Sequence, residues 1–386
     1  MILNRLDNRF LDLMRSLKSK NEYYKDKLSS LDLININPDQ LYEMLPYTER
    51  MDLQELGETI YTSTNEEIIV EMTTGTTGVP LRCPKNTRER TDLAFDIWKK
   101  RLSIDREITP NNFYLLYGSN ARKVYNFFDY DIQNLNNCFK YLSHIQPRWL
   151  CGSVSAFYNY AQEIDNGKLH HNIDSLRYIE FQGEYVDQEK REYIEDIFKV
   201  KSVVHYGNRE MWTIAYECKH QTLHLNSNAV YIEIRNNDPD NEYGNIVTTN
   251  LQLKTLPIIK YDTEDLGCLI EVDCPCGNNS ALKMIDGRIS TLIKGTKLNG
   301  NIVMKGIYNR IVRKNQKIMK RFRVVQIAPN NFDVFIIRGV EFYDGLQVLI
   351  KDEFRKVMGE EVVINIFYED RIVSNNGKMA IFSVNY

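Results

Sequence analysis

The chain has 386 residues, 43% of them hydrophobic and 26% charged, with a formal net charge of −3. That length has room for two domains, or one large domain with a small one, and the composition is that of a globular protein. So small a net charge gives no general field for nucleic acid or an anionic membrane, and the basic cluster from Arg310 to Arg323 reads as a solvated face. No run reaches the roughly 18 apolar residues of a spanning helix. The N-terminus mixes Asn, Arg and Asp into its apolar pattern, where a signal peptide needs an apolar core. The expectation is a cytoplasmic protein with no nucleic acid and no membrane among its partners.

In chain order, Leu6, Phe10, Leu13, Met14 and Leu17 repeat at helical spacing and open a helical cap over about residues 1–45. The apolar run Ile68-Ile69-Val70 reads as a strand presenting Met72-Thr73-Thr74-Gly75-Thr76-Thr77-Gly78-Val79-Pro80. Two glycines let such a loop turn tightly and aim successive amides at an anion, while four threonines add hydroxyl donors. The loop reads as a phosphate cradle, although an ordinary surface turn can have the same composition. It is not a Walker A element, because no Gly-Lys-Ser/Thr follows the second glycine. Residues 87–103 are expected to be helical, with Leu93, Ile97, Trp98 and Leu102 on one face. Phe113 to Tyr117 reads as a strand entering Gly118-Ser119-Asn120, a loop suited to lining a pocket.

Trp149-Leu150 leads into Gly152-Ser153 and a helix from Ser155 to Ile164. Arg177 to Phe181 leads into Gln182-Gly183-Glu184 and a helix from Asp187 to Phe198. Strand, glycine loop and helix in repetition predict a parallel sheet with ligands at the strand ends. After residue 220 short strands are expected at Val230 to Ile234, Asn245 to Thr249, Pro257 to Tyr261 and Cys268 to Val272, as a smaller, mostly antiparallel system. Phe322 to Ile327 and Phe332 to Ile337 read as a hairpin, followed by a helix from Gly345 to Met358 and a strand from Val362 to Phe367. The expected class is thus α/β. A large domain of mixed parallel and antiparallel sheets flanked by helices spans residues 1–287, and a small mobile α+β domain spans residues 288–386.

Seven cysteines, an odd number, argue against a disulfide framework in a reducing compartment. Cys274 and Cys276 flank a proline, and Cys218 precedes His224 by six residues. Thiolates and an imidazole from two separated hairpins suit a four-ligand structural zinc site of Cys218, His224, Cys274 and Cys276, with His220 as a competing ligand.

Five patches then follow one another in order: the Thr/Gly loop, Val204-His205-Tyr206-Gly207-Asn208-Arg209-Glu210-Met211, Tyr261-Asp262-Thr263-Glu264-Asp265-Leu266-Gly267, Ile285-Asp286-Gly287-Arg288 and the late Gly377-Lys378. From about residue 40 onward this set resembles the adenylate-forming (acyl-CoA synthetase-like) superfamily, above all phenylacetate–CoA ligase and its capsule-biosynthesis relatives. The resemblance implies ATP-dependent adenylation of a small carboxylic acid, release of pyrophosphate and acyl transfer to a thiol, with coenzyme A first and a carrier protein or an amine as alternatives. It implies that Thr73, Thr74, Gly75, Thr76, Thr77 and Gly78 grip the phosphates, Tyr206 and Gly207 meet adenine beside Gly183 and Glu184, and Asp265 holds the ribose with Arg288 nearby. Glu210 would take Mg²⁺, and Lys378 would bridge the carboxylate and the α-phosphate. The subgroup also has Cys and His at positions matching the zinc set.

Three departures stand out. Arg209 replaces the usual Ser or Thr, placing a guanidinium where it either meets the α-phosphate or blocks a hydrogen bond. Ser290 stands at the hinge position in place of Asp or Lys. The ribose patch reads Asp-Thr-Glu-Asp where Arg-x-Gly-Asp is usual. Tyr117, Gly118, Ser119 and His205 are the expected acid-pocket residues, and 24 tyrosines tilt the choice slightly toward an aryl acid. A homodimer and a non-catalytic nucleotide-binding relative stay open on the sequence.

Overall fold

The computed structural model describes residues 6–73, 80–116, 125–127, 129–236, 242–288, 293–296, 300–312, 318–369 and 381–385. The chain divides into two compact units, Met1–Thr263 with Gly267–Met284, and Glu264–Leu266 with Ile285–Tyr386.

The first unit opens with helices α1 (Asn8–Lys20), α2 (Glu22–Lys27), α3 (Pro38–Met44) and α4 (Arg50–Leu56). Asp7 caps α1 by accepting from the Arg9 amide, and Phe10, Leu11, Leu13, Met14 and Leu17 are its buried stripe. These side chains share one apolar core with Ile214, Val230, Ile232, Ile258 and Ile259, so the expected cap is part of the main core. Strand β1 (Ile68–Met72) pairs antiparallel with β2 (Arg82–Asn86), and α5 (Thr87–Ile104) starts on an Asn86–Glu89 capping box.

The alternating pattern then forms as expected. Strands β3 (Phe113–Leu115), β4 (Trp149–Gly152), β5 (Tyr178–Gln182) and β6 (Lys201–Asn208) pair in parallel. Between them run α6 (Ile132–Ile145), α7 (Val154–Asp165) and α8 (Gln188–Phe198). Strand β7 (Trp212–Glu217) turns back antiparallel on β6, and β8 (Leu223–Leu225) pairs antiparallel with β7. Strands β9 (Val230–Arg235), β10 (Gly244–Asn250), β11 (Tyr261–Glu271) and β12 (Ser280–Arg288) follow.

The later strands do not form the separate small system expected from the sequence. They continue the same sheet, in the order β3-β4-β5-β6-β7-β8-β12-β11-β10-β9, because the β7–β8 hairpin joins the two halves. Nor is Pro257 to Tyr261 a strand: β11 begins at Tyr261. Pro257 has no amide to give a ladder, and Lys260 holds φ at +51°. The apolar signal of Ile258 and Ile259 came from burial in the core, not from strand pairing.

The second unit contains α9 (Gly300–Val312), β13 (Met319–Ala328), β14 (Asn331–Arg338), α10 (Leu346–Met358), β15 (Val363–Tyr368) and β16 (Phe382–Val384). Its sheet runs β15-β14-β13-β16, antiparallel in the central hairpin and parallel at both edges. Phe322, Val324, Phe332, Val334 and Ile336 cluster with Leu346, Ile350 and Phe354 of α10. The architecture is therefore the expected one: a large mixed α/β unit and a small α+β unit.

Candidate active site and metal centre

At the end of β6 the register shifts between Tyr206 and Gly207. A Cβ on Gly207 would lie 1.9 Å from the carbonyl oxygen of Trp212, so only glycine lets the chain double back here. Asn208 Oδ1 then accepts from the Met211 amide at 2.7 Å, closing the turn that carries Arg209 and Glu210. Arg209 is exposed, whereas Glu210 is only 4% exposed.

Glu210 Oε1 accepts from Arg50 Nη1 at 3.3 Å and from the Tyr261 hydroxyl at 3.2 Å. The other Arg50 amino group, Nη2, donates to Thr73 Oγ1 at 2.8 Å. Thr73 is tied to the far side of the Thr/Gly loop by two bonds: its amide donates to the Leu81 carbonyl and its Oγ1 accepts from the Leu81 amide. A second clamp lies beside the first. Lys85, 1% exposed, donates to the Arg209 carbonyl at 2.7 Å and pairs with Glu71 Oε2 at 3.3 Å. Glu71 also accepts from Trp212 Nε1 at 3.0 Å and faces Arg90 at 3.6 Å. The neck of the loop and the Arg209–Glu210 turn are thus locked together by buried charge. Cys83 sits among these groups, but burial pushes its thiol up to about 12, with Glu210 adding to the shift, so it is no nucleophile.

Sequence alone missed Arg50, Glu71 and Lys85. Pro46 to Asp52 reads as a connection in the sequence, whereas α4 starts at Arg50, and no local pattern singles out Glu71 or Lys85.

The other expected nucleotide residues are distributed along the sheet. Tyr206 packs at the edge of the main core. Gly183 takes φ +84° directly after β5, and Glu184 Oε2 accepts from the Ser155 amide at 2.9 Å, holding the first turn of α7. Asp265 lies half-buried in β11, preceded by Glu264 at φ +62°, where the resembled family has glycine. Arg288 ends β12. Thr74, Gly75, Thr76, Thr77, Gly78, Tyr117, Gly118, Ser119, Ser290 and Lys378 lie outside the described residues.

His205 is buried in a polar network. It is 7% exposed, with Nδ1 3.3 Å from Glu180 Oε1 and Nε2 3.0 Å from Thr213 Oγ1. Glu180 takes a bidentate pair from Arg101 at 2.9 Å, with further bonds from Trp149 Nε1 at 3.2 Å and the Tyr216 hydroxyl at 3.0 Å. Burial pushes the Glu180 carboxyl up, but the charge of Arg101 and the bonds from His205 and Arg101 outweigh it and hold the group far below the usual range. The alternation of β6 explains the placement: His205 faces this network and Tyr206 faces the other side.

Cys218, His224, Cys274 and Cys276 do converge, with ligand atoms all within 4.8 Å of one another. Cys218 comes from the β7–β8 turn, His224 from β8, and the other two from the β11–β12 turn; Ala281 pairs with His224 across the strands. Cys218 Sγ and Cys274 Sγ are 3.6 Å apart, too far for a disulfide. Two thiolates on a tetrahedral zinc stand about 3.8 Å apart. His224 Nδ1 donates to the Ser280 carbonyl at 2.8 Å, which leaves the Nε2 lone pair facing Cys276 Sγ at 3.1 Å. The Cys276 amide lowers the Cys274 thiol to about 6, favouring a thiolate. The donors, their spacing and the supporting bond fit a closed structural zinc site.

No protein-family model matches the sequence, and no curated protein matches it. Solved structures do. A 2-hydroxyisobutyryl-CoA ligase in the postadenylation state, in complex with R3-HIB-AMP, superposes with a TM-score of 0.76 at 15% identity, covering 98% of this chain and 88% of that one. The anthranilate CoA ligase AuaEII in complex with anthranoyl-AMP gives 0.58 at 11% identity, over 83% and 67% of the two chains. A benzoate CoA ligase from Burkholderia xenovorans LB400 gives 0.55 at 13% identity, over 82% and 68%. The chain therefore has the fold of the adenylate-forming ligases. The neighbours that define this likeness are acyl-CoA ligases.

Proposed function

We propose that the protein activates a small carboxylic acid with ATP and passes the acyl group to the thiol of coenzyme A. The observation that carries this reading is the assembly of Thr73, Arg50, Glu210 and Tyr261 on an adenylate-forming ligase fold. It places hydroxyls, a fixed cation and a buried carboxylate at the neck of the Thr/Gly loop.

In the first half-reaction the acid's carboxylate attacks the α-phosphorus, the bond to the β-phosphate breaks and pyrophosphate leaves. Thr73 and the loop residues Thr74 to Gly78 hold the β,γ-phosphates through hydroxyls and amides. Tyr206 stacks on adenine beside Gly183, while Asp265 accepts from the ribose hydroxyls near Arg288. Lys378 bridges the two reacting groups, and Arg209, exposed on the turn, adds positive charge near the α-phosphate. Glu210 fits a hard cation, since it offers a buried carboxylate oxygen; bound Mg²⁺ would neutralise phosphate charge there. In the second half-reaction the thiol attacks the acyl carbon and AMP leaves, with the small domain turning about Ser290. Zinc in the Cys218, His224, Cys274 and Cys276 site is structural, because four protein ligands leave no position for substrate.

The acid pocket is assigned to the segment containing Tyr117, Gly118 and Ser119, with an aryl acid preferred, in keeping with a phenylacetate–CoA ligase-like subgroup and a cytoplasmic location. Mass spectrometry of reactions with ATP and a panel of acids tests the order of events. An acyl-adenylate should form without thiol and convert to a thioester when coenzyme A is added. An adenylate that persists with coenzyme A but is consumed by a carrier protein or an amine would change the acceptor and keep the first step.

A further inference from the structure

The Arg50–Glu210 pair bears on how metal and nucleotide reach the proposed site, and the inference rests on that reading. Glu210 is the carboxylate assigned to the metal, yet its Oε1 already faces a guanidinium at 3.3 Å and the Tyr261 hydroxyl at 3.2 Å. Arg50 presents a planar guanidinium, and its side chain is largely enclosed. It is held on the other side by Thr73 Oγ1 at 2.8 Å, and Thr73 is itself pinned to Leu81. The guanidinium is therefore fixed against the carboxylate.

We propose that Arg50 is a charge-exchange residue that makes metal binding at Glu210 depend on nucleotide. Without nucleotide, a divalent cation meeting Glu210 would be repelled by a guanidinium held a few ångströms away, in surroundings where screening is weak. A triphosphate reverses the balance. It brings several negative charges to the loop whose neck Thr73 forms, and a planar guanidinium suits phosphate oxygens as well as it suits a carboxylate. Arg50 then turns from Glu210 to the phosphates, and Glu210 Oε1, relieved of the guanidinium, can meet the cation. The metal alone is excluded, and the metal–nucleotide complex is admitted. Arg50 acts here as a positioning residue for the metal–carboxylate contact.

Manganese binding measured by electron paramagnetic resonance on zinc-loaded protein, without ATP, tests this directly. Wild-type protein should show only weak Mn²⁺ binding, while Arg50→Ala should bind Mn²⁺ about tenfold more tightly, a gain lost again in Arg50→Ala/Glu210→Gln. Arg50→Lys keeps the charge without the fork and should still exclude the metal. Thr73→Val, which releases Arg50 on one side, should raise Mn²⁺ affinity by a smaller factor and provides the test should Arg50→Ala not fold. Unchanged Mn²⁺ affinity in folded Arg50→Ala, or a gain that survives Glu210→Gln, overturns the proposal. Because this readout needs neither acid nor turnover, it fails separately from the proposed activity.

Discussion

Glu180 carries a full negative charge with no exposed surface, a state that depends on every partner around it. Arg101 supplies two charge-assisted bonds, and Trp149, Tyr216 and His205 supply the rest. Its carboxyl is held far below the ordinary range, so the sign of its contribution follows. The stabilisation is fully present above the unfolded carboxylate pKa of about 4.3 and is lost as pH falls toward the depressed folded value. Removing the charge while Arg101 stays buried should cost about 3–5 kcal/mol. Glu180→Gln is therefore expected to lower the melting temperature at pH 7 by several degrees, and the gap from wild type should narrow in strong acid. Melts of the two proteins at pH 7 and below pH 4 check this; an equal melting temperature at pH 7 would contradict it. The same residue scale shows why part of the site was not legible in the sequence. Arg50 meets Glu210 across 160 positions and Lys85 meets Arg209 across 124. No local pattern encodes such pairs, and a Lys in Cys-Pro-Lys-Asn looks like a surface residue until the fold buries it.

At the scale of elements, short-range patterning carries much of the structure. Strand, glycine loop and helix repeat through β4–α7 and β5–α8 as expected, because a 3.6-residue stripe and a short apolar run are distinct signals. Strand β7 was not assigned, since Trp212 to Glu217 follows directly on the Tyr206–Met211 patch. Through its pairing with β6 and β8 it joins the parallel and antiparallel halves, so without it one sheet reads as two. The cysteine pairs were legible for a different reason: metal ligands are scarce residue types, and two such groups in separate turns are conspicuous. The β7–β8 and β11–β12 turns that carry them pair through β8 and β12, and zinc would tie the ends of both hairpins together. The purified protein is expected to contain one zinc per chain. A strong chelator, or Cys274→Ala, should remove it and lower the melting temperature. Protein with well under one zinc per chain, not restored by added metal, would contradict the assignment.

At the scale of the whole molecule, the large sheet-bearing unit and the small α+β unit match the overall plan of the acyl-CoA ligases found among the structural neighbours, at identities of 11–15%. Such distant likeness carries the fold, while the chemistry rests on the assembly around Glu210 and on the ordered sequence patches. The three departures Arg209, Ser290 and Glu264 concern the turn after β6, position 290 and strand β11. Of these, Glu264 holds φ +62°, a conformation that glycine adopts without steric cost and other residues adopt rarely. The fold class was legible because composition and periodicity survive over long stretches, whereas the identity of the acid depends on pocket shape, which they do not report.

The most direct test of the central claim is acid-dependent exchange between ATP and labelled pyrophosphate, run without thiol across aryl, aliphatic and amino acids. Exchange is expected with one acid class, strongest for an aryl acid, and should be lost in Lys378→Ala. Measurable ATP binding with no exchange for any acid would contradict it and leave a nucleotide-binding protein that does not adenylate.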